Sequence, residues 1–446
     1  MTSNITKGFN RIVKNRYIVN TFWLGTEKIL HLISILGIGV LLARYLGPVQ
    51  LGILTYVQSY VALFTFFVGL GLNQIIVRDI VNKPTEANVI IGTSLALRTV
   101  AAIFIIILIN IVSLLYHDKE LFRLLIIIQS MVLFNQIFLV FENFFQAKVK
   151  SKLTVICRIS CDLFLILFKS FLIVHQAELI YFVIVDVTAL LLLSVGFVLV
   201  YQYSEKSIRK LRFSKSVAKR MLINSWPLML SSGLIILYMR IDQIMIERFL
   251  GVRELGNYAV SVRVSEAWYF IPMVITASFF PAILNAREQN QKIYIERLNK
   301  LFFLVLWIAV FISVFISLFS KDIISILFGK EYDIAYGALR IQAFAGVFVA
   351  MGYVNGKWMV AENFTKLELL RSVLGVCVNV VLNLFLIPYY GISGAAVSTL
   401  IAVFIASNMS MLIFKETRNI FYLQNYSLVD FRSFKNIIVF ITNKGM

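Results

Sequence analysis

Apolar residues run along this chain in unbroken blocks. Residues 100–115, 124–140 and 301–319 contain no Asp, Glu, Lys or Arg, and with their flanks each reaches the ~20 apolar residues that cross a hydrocarbon core as a helix. The blocks are continuous and do not alternate in and out, which argues against a β-barrel. The pattern predicts an all-α membrane protein with about twelve transmembrane helices, near residues 18–43, 52–77, 89–116, 121–146, 153–174, 179–201, 222–247, 257–283, 299–319, 334–360, 366–388 and 392–414. The longest polar connections, 203–220, 285–300 and the stretch after 414, leave no room for an inserted soluble domain.

Composition agrees. Of 446 residues, 60% are hydrophobic and 15% charged, against ~45–50% and ~25% in soluble domains, and the mean hydropathy is +0.86. The net charge of +19 would suit nucleic acid, but its distribution points elsewhere. Lys7, Arg11, Lys14 and Arg16, the loops with Arg78 and Lys83, with Lys148, Lys150 and Lys152, and with Arg209 to Arg220, and the tail with Lys415 and Arg418 fall on one side of the predicted spans. By the positive-inside rule that side is cytoplasmic, with both termini on it, and no nucleic-acid partner is expected. The basic-then-apolar start resembles a signal peptide, yet Glu27, Lys28 and His31 interrupt the apolar run, so it is expected to stay as the first helix.

One nine-residue phrase occurs twice. Residues 44–52 read RYLGPVQLG and residues 248–256 read RFLGVRELG. A gap-free offset of 204 aligns Arg16 with Arg220, Asn20 with Asn224, Gly47 with Gly251 and Gly52 with Gly256. Each copy would close the first helix of a six-helix half, and an even helix number makes the repeat parallel. The expected domains are an N-terminal six-helix lobe over 1–205, a basic linker over 206–221, a C-terminal six-helix lobe over 222–414 and a cytoplasmic tail over 415–446. Gly47 and Gly52 are expected to bracket a tight reversal, where positive φ suits glycine.

Ionisable groups inside spans cost ~2.5–3.5 kcal/mol each on insertion scales and normally face protein or a wet cavity. Arg158 and Asp162 (i, i+4), and Arg263 and Glu266 (i, i+3), can pair on one helix face. Arg98, Arg240 and Arg340 have no carboxylate three or four residues away, and Lys28 has only its neighbour Glu27. A cavity lined by these cations would attract an anion, since guanidinium forks match phosphate oxygens. Arg98, Arg240, Arg340, Lys28, Arg158 and Arg263 are therefore the candidate substrate contacts. Arg78, Arg123, Lys169, Arg248, Lys357 and Arg371 lie near helix ends and are read as snorkelling.

Other chemistry has little support. Cys157, Cys161 and Cys377 all fall inside spans, and the three histidines sit in separate segments, so no metal is expected. No glycine-rich phosphate loop is present, and no cofactor or catalytic residue is expected. His31, near Glu27 and Lys28, reads better as a packed or wetted histidine than as a proton-coupling group.

Three blocks carry a family resemblance: LLARYLGPVQLGILTYVQSYVALFTFFVGLGLNQIIVRDI (41–80), YMRIDQIMIERFLGVRELGNYAVSVRVSE (238–266) and IPYYGISGAAVSTLIA (387–402). They resemble the Wzx-type polysaccharide-biosynthesis flippases of the multidrug/oligosaccharidyl-lipid/polysaccharide exporter superfamily. That resemblance implies a two-lobed, V-shaped bundle in the bacterial inner membrane. It would carry undecaprenyl-diphosphate-linked oligosaccharide, for O-antigen or a related surface polysaccharide, from the cytoplasmic to the periplasmic leaflet by alternating access. It also implies a polysaccharide polymerase and a chain-length regulator as neighbours. The superfamily resemblance also implies coupling to a proton or sodium gradient, with Asp242, Asp186 and Glu27 as the candidate coupling groups, and the diphosphate as the anion for the cationic cavity. Of the family's residues, only the block Arg240, Asp242, Gln243 is carried over, as lining of the second lobe. A multidrug exporter of the same superfamily would share the fold but not a cationic cavity. A membrane-embedded glycan polymerase or ligase would need a large outer loop with catalytic residues, which this chain lacks.

Overall fold

In a computed structural model, residues 16–205, 208–362 and 364–429 are described, and their regular structure is entirely helical. The first helices are α1 (Arg16–Ala62), α2 (Thr65–Gly69), α3 (Leu72–Asn82), α4 (Ala87–Tyr116), α5 (Glu120–Ser130), α6 (Asn135–Ala147), α7 (Lys152–Val174) and α8 (Leu179–Glu205). The rest are α9 (Lys215–Leu250), α10 (Val252–Glu266), α11 (Phe270–Gln289), α12 (Gln291–Leu318), α13 (Ser320–Phe328), α14 (Ala335–Ala361), α15 (Thr365–Phe404), α16 (Ser410–Ile413) and α17 (Arg418–Val429).

Eight helical stretches among the described residues are long and apolar enough to cross a membrane. The predicted count of twelve is not reproduced, for two physical reasons. Two predicted pairs run on through a break as single stretches, Gly25–Asn82 and Lys366–Ile413. Two other predicted spans are too polar or too broken: α7 carries Arg158, Asp162 and Lys169, while α10 carries Arg263 and Glu266 and stops before α11 begins. Large apolar side chains such as Val100, Phe104, Phe311 and Leu318 are 64–72% exposed, as residues facing hydrocarbon must be. The protein is a multi-pass membrane protein.

The helices fall into two compact units. One runs through Leu46 and resumes over Ile53–Arg240; the other takes Gly47–Gly52 and continues from Ile241. In the first, Ile76, Ile90, Ile91, Phe141, Phe145 and Phe197 from α3, α4, α6 and α8 form one buried core. In the second, α14 is the central helix, packed by α10, α12 and α15.

The repeated phrase has two glycine roles. Gly47 (φ 65°, ψ 173°) and Gly251 (φ 88°, ψ 175°), 204 residues apart, share one left-handed backbone turn, a conformation with little strain only for glycine. Gly52 and Gly256 are instead helical, which corrects the expectation of a second positive φ. They are needed for close approach: a Cβ on Gly52 would lie 1.8 Å from the Val252 carbonyl oxygen, and one on Gly256 would lie 1.9 Å from that of Pro48. The contact is reciprocal under the same offset.

Candidate functional site

The first unit builds a polar cluster from α1, α6 and α7. Arg158 does not pair with Asp162 on its own helix. It forks onto Glu142 of α6, with Nε donating to Oε1 at 2.8 Å and Nη2 to Oε2 at 2.6 Å. Asp162 is left for His31 of α1, whose Nδ1 lies 2.9 and 3.0 Å from its two oxygens. Glu27, one turn before His31, is buried with a side chain 4% exposed, and Lys28 reaches back to it at 3.5 Å with 51% exposure.

Asp186 sits in the same unit but is held separately. Lys169 Nζ pairs with it at 2.5 Å and Gln58 Nε2 donates to it at 3.2 Å. Lys169 is 8% exposed, so it does not snorkel; an adjacent helix supplies its counter-charge. Arg371 is also buried rather than snorkelling, forked onto Glu368 one turn earlier.

Arg98 is fully buried. Its guanidinium donates to the Gln136 carbonyl at 2.8 Å, to Asn73 Oδ1 at 2.7 Å and to the Gly69 carbonyl at 3.3 Å. Gly69 ends α2, where Leu70 and Gly71 turn left-handed and leave carbonyls without helical partners. Arg98 therefore caps an internal helix break, with three acceptors on its guanidinium.

The second unit builds its own buried cluster around Asp242, which is 4% exposed. Tyr258 of α10 donates its hydroxyl to Asp242 Oδ2 at 2.5 Å, and the Gln243 amide donates to Oδ1 at 2.8 Å. The Tyr258 hydroxyl also meets Gln342 of α14 at 3.5 Å and Thr399 of α15. Asn379 Nδ2 lies 3.5 Å from Thr399 Oγ1, and Asn383 donates to Asn379 at 3.0 Å. In the second unit Asn257 Oδ1, Gln342 Oε1 and Asn383 Oδ1 are buried without a hydrogen-bond partner among the described residues, and Gln342 is the one of the three that reaches the Asp242 partner Tyr258.

Two candidate cations form no hydrogen bond or ion pair with the described residues. Arg240 is half-buried in α9, and Arg340 is exposed on the wall of a cavity of ≈ 460 Å3 in the second unit. Arg263 is half-buried in α10. Outside the spans, burial holds the His117 pKa below its ordinary value. With Nδ1 toward the Ser113 carbonyl at 3.3 Å, its Nε2 accepts from the Tyr56 hydroxyl at 2.8 Å.

Comparison with known proteins adds the following. A family model described as "Polysaccharide biosynthesis protein" matches residues 18–287, and the MatE model matches 227–385. Capsular polysaccharide biosynthesis protein CapF of Staphylococcus aureus is 26% identical over 200 residues, 44% of this chain. That match spans 50% of the relative's own length. A Shigella flexneri protein named for O-antigen transport is 22% identical over 402 residues, covering 85% of this chain and 93% of that one. The solved structure of the lipid II flippase MurJ, inward closed, shares the fold, with a TM-score of 0.66 over 96% of this chain and 94% of that chain at 15% identity.

Proposed function

The chain belongs to the polysaccharide biosynthesis protein family, and from that premise we propose that it is a flippase for a lipid-linked oligosaccharide. The substrate is undecaprenyl-diphosphate-linked, and it moves from the cytoplasmic to the periplasmic leaflet of a bacterial inner membrane. The transport unit is two six-helix lobes, 1–205 and 222–414, joined by the basic linker 206–221, with both termini cytoplasmic. The shared backbone turn at Gly47 and Gly251 supports the duplication. A polymerase and a chain-length regulator would receive the product.

The observation that carries the reading is Arg240. It is a half-buried guanidinium well inside an apolar helix, with no partner among the described residues, so it keeps its fork free for an anion. Lys28 and Arg263 are the further cations of the set. Asp242 is the coupling group: it is 4% exposed, accepts from the Tyr258 hydroxyl and lies two residues from Arg240. Asp186 and Glu27, paired with Lys169 and Lys28, are the further choices. Arg158 stabilises the first unit through Glu142 rather than binding substrate.

The test is transport by purified protein in vesicles, comparing an undecaprenyl-diphosphate oligosaccharide with an organic-cation dye. The lipid-linked sugar should cross and the dye should not. Arg240→Ala should slow crossing by at least about tenfold, with Arg240→Lys recovering part. Dye efflux alone would favour the multidrug reading that the MatE match at 227–385 supports.

A further inference from the structure

The cavity beside Arg340 lies at one end of the second unit. Its walls are Val314, Ser317 and Leu318 at the close of α12, Arg340 and Phe344 near the start of α14, and Leu400 in the part of α15 that follows the break at Gly391. The basic residues of α12, Lys292, Arg297 and Lys300, lie at its other end, so the groove is in the membrane half opposite the basic loops. Arg340 is the sixth residue of α14, about 8 Å along its axis from the helix start at ~1.5 Å per residue, so it lies near the end of the span on that side. Leu318 of the groove wall, and Phe311 and Phe315 in the preceding turns of α12, are 52–72% exposed, as apolar side chains of a membrane helix are where they meet lipid. The groove therefore opens to lipid.

We propose that this groove binds one anionic phospholipid of the outer leaflet, with Arg340 and Ser317 on its phosphodiester and Val314, Leu318, Phe344 and Leu400 along its chains. Charge decides the occupant. Arg340 is the sole ionisable residue of the lining and forms no ion pair among the described residues. A single cation balances a phosphodiester, whereas a diphosphate carries at least two charges and would leave one unpaired in a medium where that is costly. Arginine pockets between membrane helices recognise lipid headgroups on this basis. This site is separate from the substrate contacts proposed above and takes Arg340 out of that set.

The test uses the full chain reconstituted in vesicles of phosphatidylglycerol and phosphatidylethanolamine in equal parts, released in mild detergent and weighed by native mass spectrometry. The wild type and Arg340→Lys should retain one phosphatidylglycerol, and Arg340→Ala should retain about tenfold less. Leu400→Trp, which fills the groove while keeping the arginine, should lose it too. Three results would overturn the site: equal retention in Arg340→Ala, equal retention of phosphatidylethanolamine, or preferential retention of added undecaprenyl diphosphate. A dimer that dissociates in Arg340→Ala would likewise overturn it and assign the groove to a second copy.

Discussion

Arg158 shows what a single residue's neighbours along the sequence leave out. Its spacing to Asp162 suits a local pair, yet its fork closes on Glu142, 16 residues earlier and on another helix. The same holds for Lys169, whose partner Asp186 lies on the next helix. Sequence spacing reports only partners on the same helix, so intramembrane charges are legible as costly and in need of company, while the identity of the company is not. The correction has an energetic consequence. Both partners are under a third exposed, at 29% and 25%, so Arg158→Ala leaves Glu142 desolvated without its two charge-assisted bonds. A loss of about 1–3 kcal/mol is expected, read as a lower melting temperature in detergent. Adding Glu142→Gln should restore part of it, because the stranded charge is then gone; equal melting of single and double variants would deny the pair its role.

At the scale of elements, the repeated phrase was informative because its glycines are forced by two different constraints. Gly47 and Gly251 are required by a positive φ, while Gly52 and Gly256 are required by backbone proximity. The sequence pattern located both pairs but could not separate the constraints, since glycine answers either one. Substitution separates them. Gly251→Ala has open space around its new Cβ and bears only the strain of a backbone region essentially restricted to glycine, about 1–3 kcal/mol. Gly256→Ala drives a methyl into the Pro48 carbonyl, and a backbone contact has no rotamer through which to yield. Gly256→Ala should therefore melt well below Gly251→Ala, and Gly52→Ala should match Gly256→Ala because the contact is reciprocal. A reversed order would mean that the helices part freely at this crossing. The span count was less legible than the glycines, because helices that continue through a kink, and helices diluted by buried charge, both depart from the one-block, one-span rule.

For the whole molecule, alternating access requires that something tie the change of state to an energy source, and the two polar clusters are not equivalent for that task. In the first unit three buried or half-buried acids have basic neighbours: Glu142 has Arg158, Asp186 has Lys169 and Asp162 has His31. In the second, Asp242 accepts from the Tyr258 hydroxyl and the Gln243 backbone amide and lies two residues from Arg240, the cation proposed for the substrate. A cation entering there would meet the carboxylate, and its binding energy could bias one state over another only if that charge is present. Asp242→Asn keeps the size and the contact to Tyr258 while removing the charge. It should bind the lipid-linked oligosaccharide as tightly as the wild type, yet its transport should no longer respond to an imposed proton or sodium gradient. Asp186→Asn should do the opposite, keeping the gradient response while lowering stability, since it strands a Lys169 that is 8% exposed without its counter-charge. Parallel measurements of substrate binding, gradient-driven flipping and melting distinguish the two. A gradient response intact in Asp242→Asn and lost in Asp186→Asn would move the coupling group to the first unit.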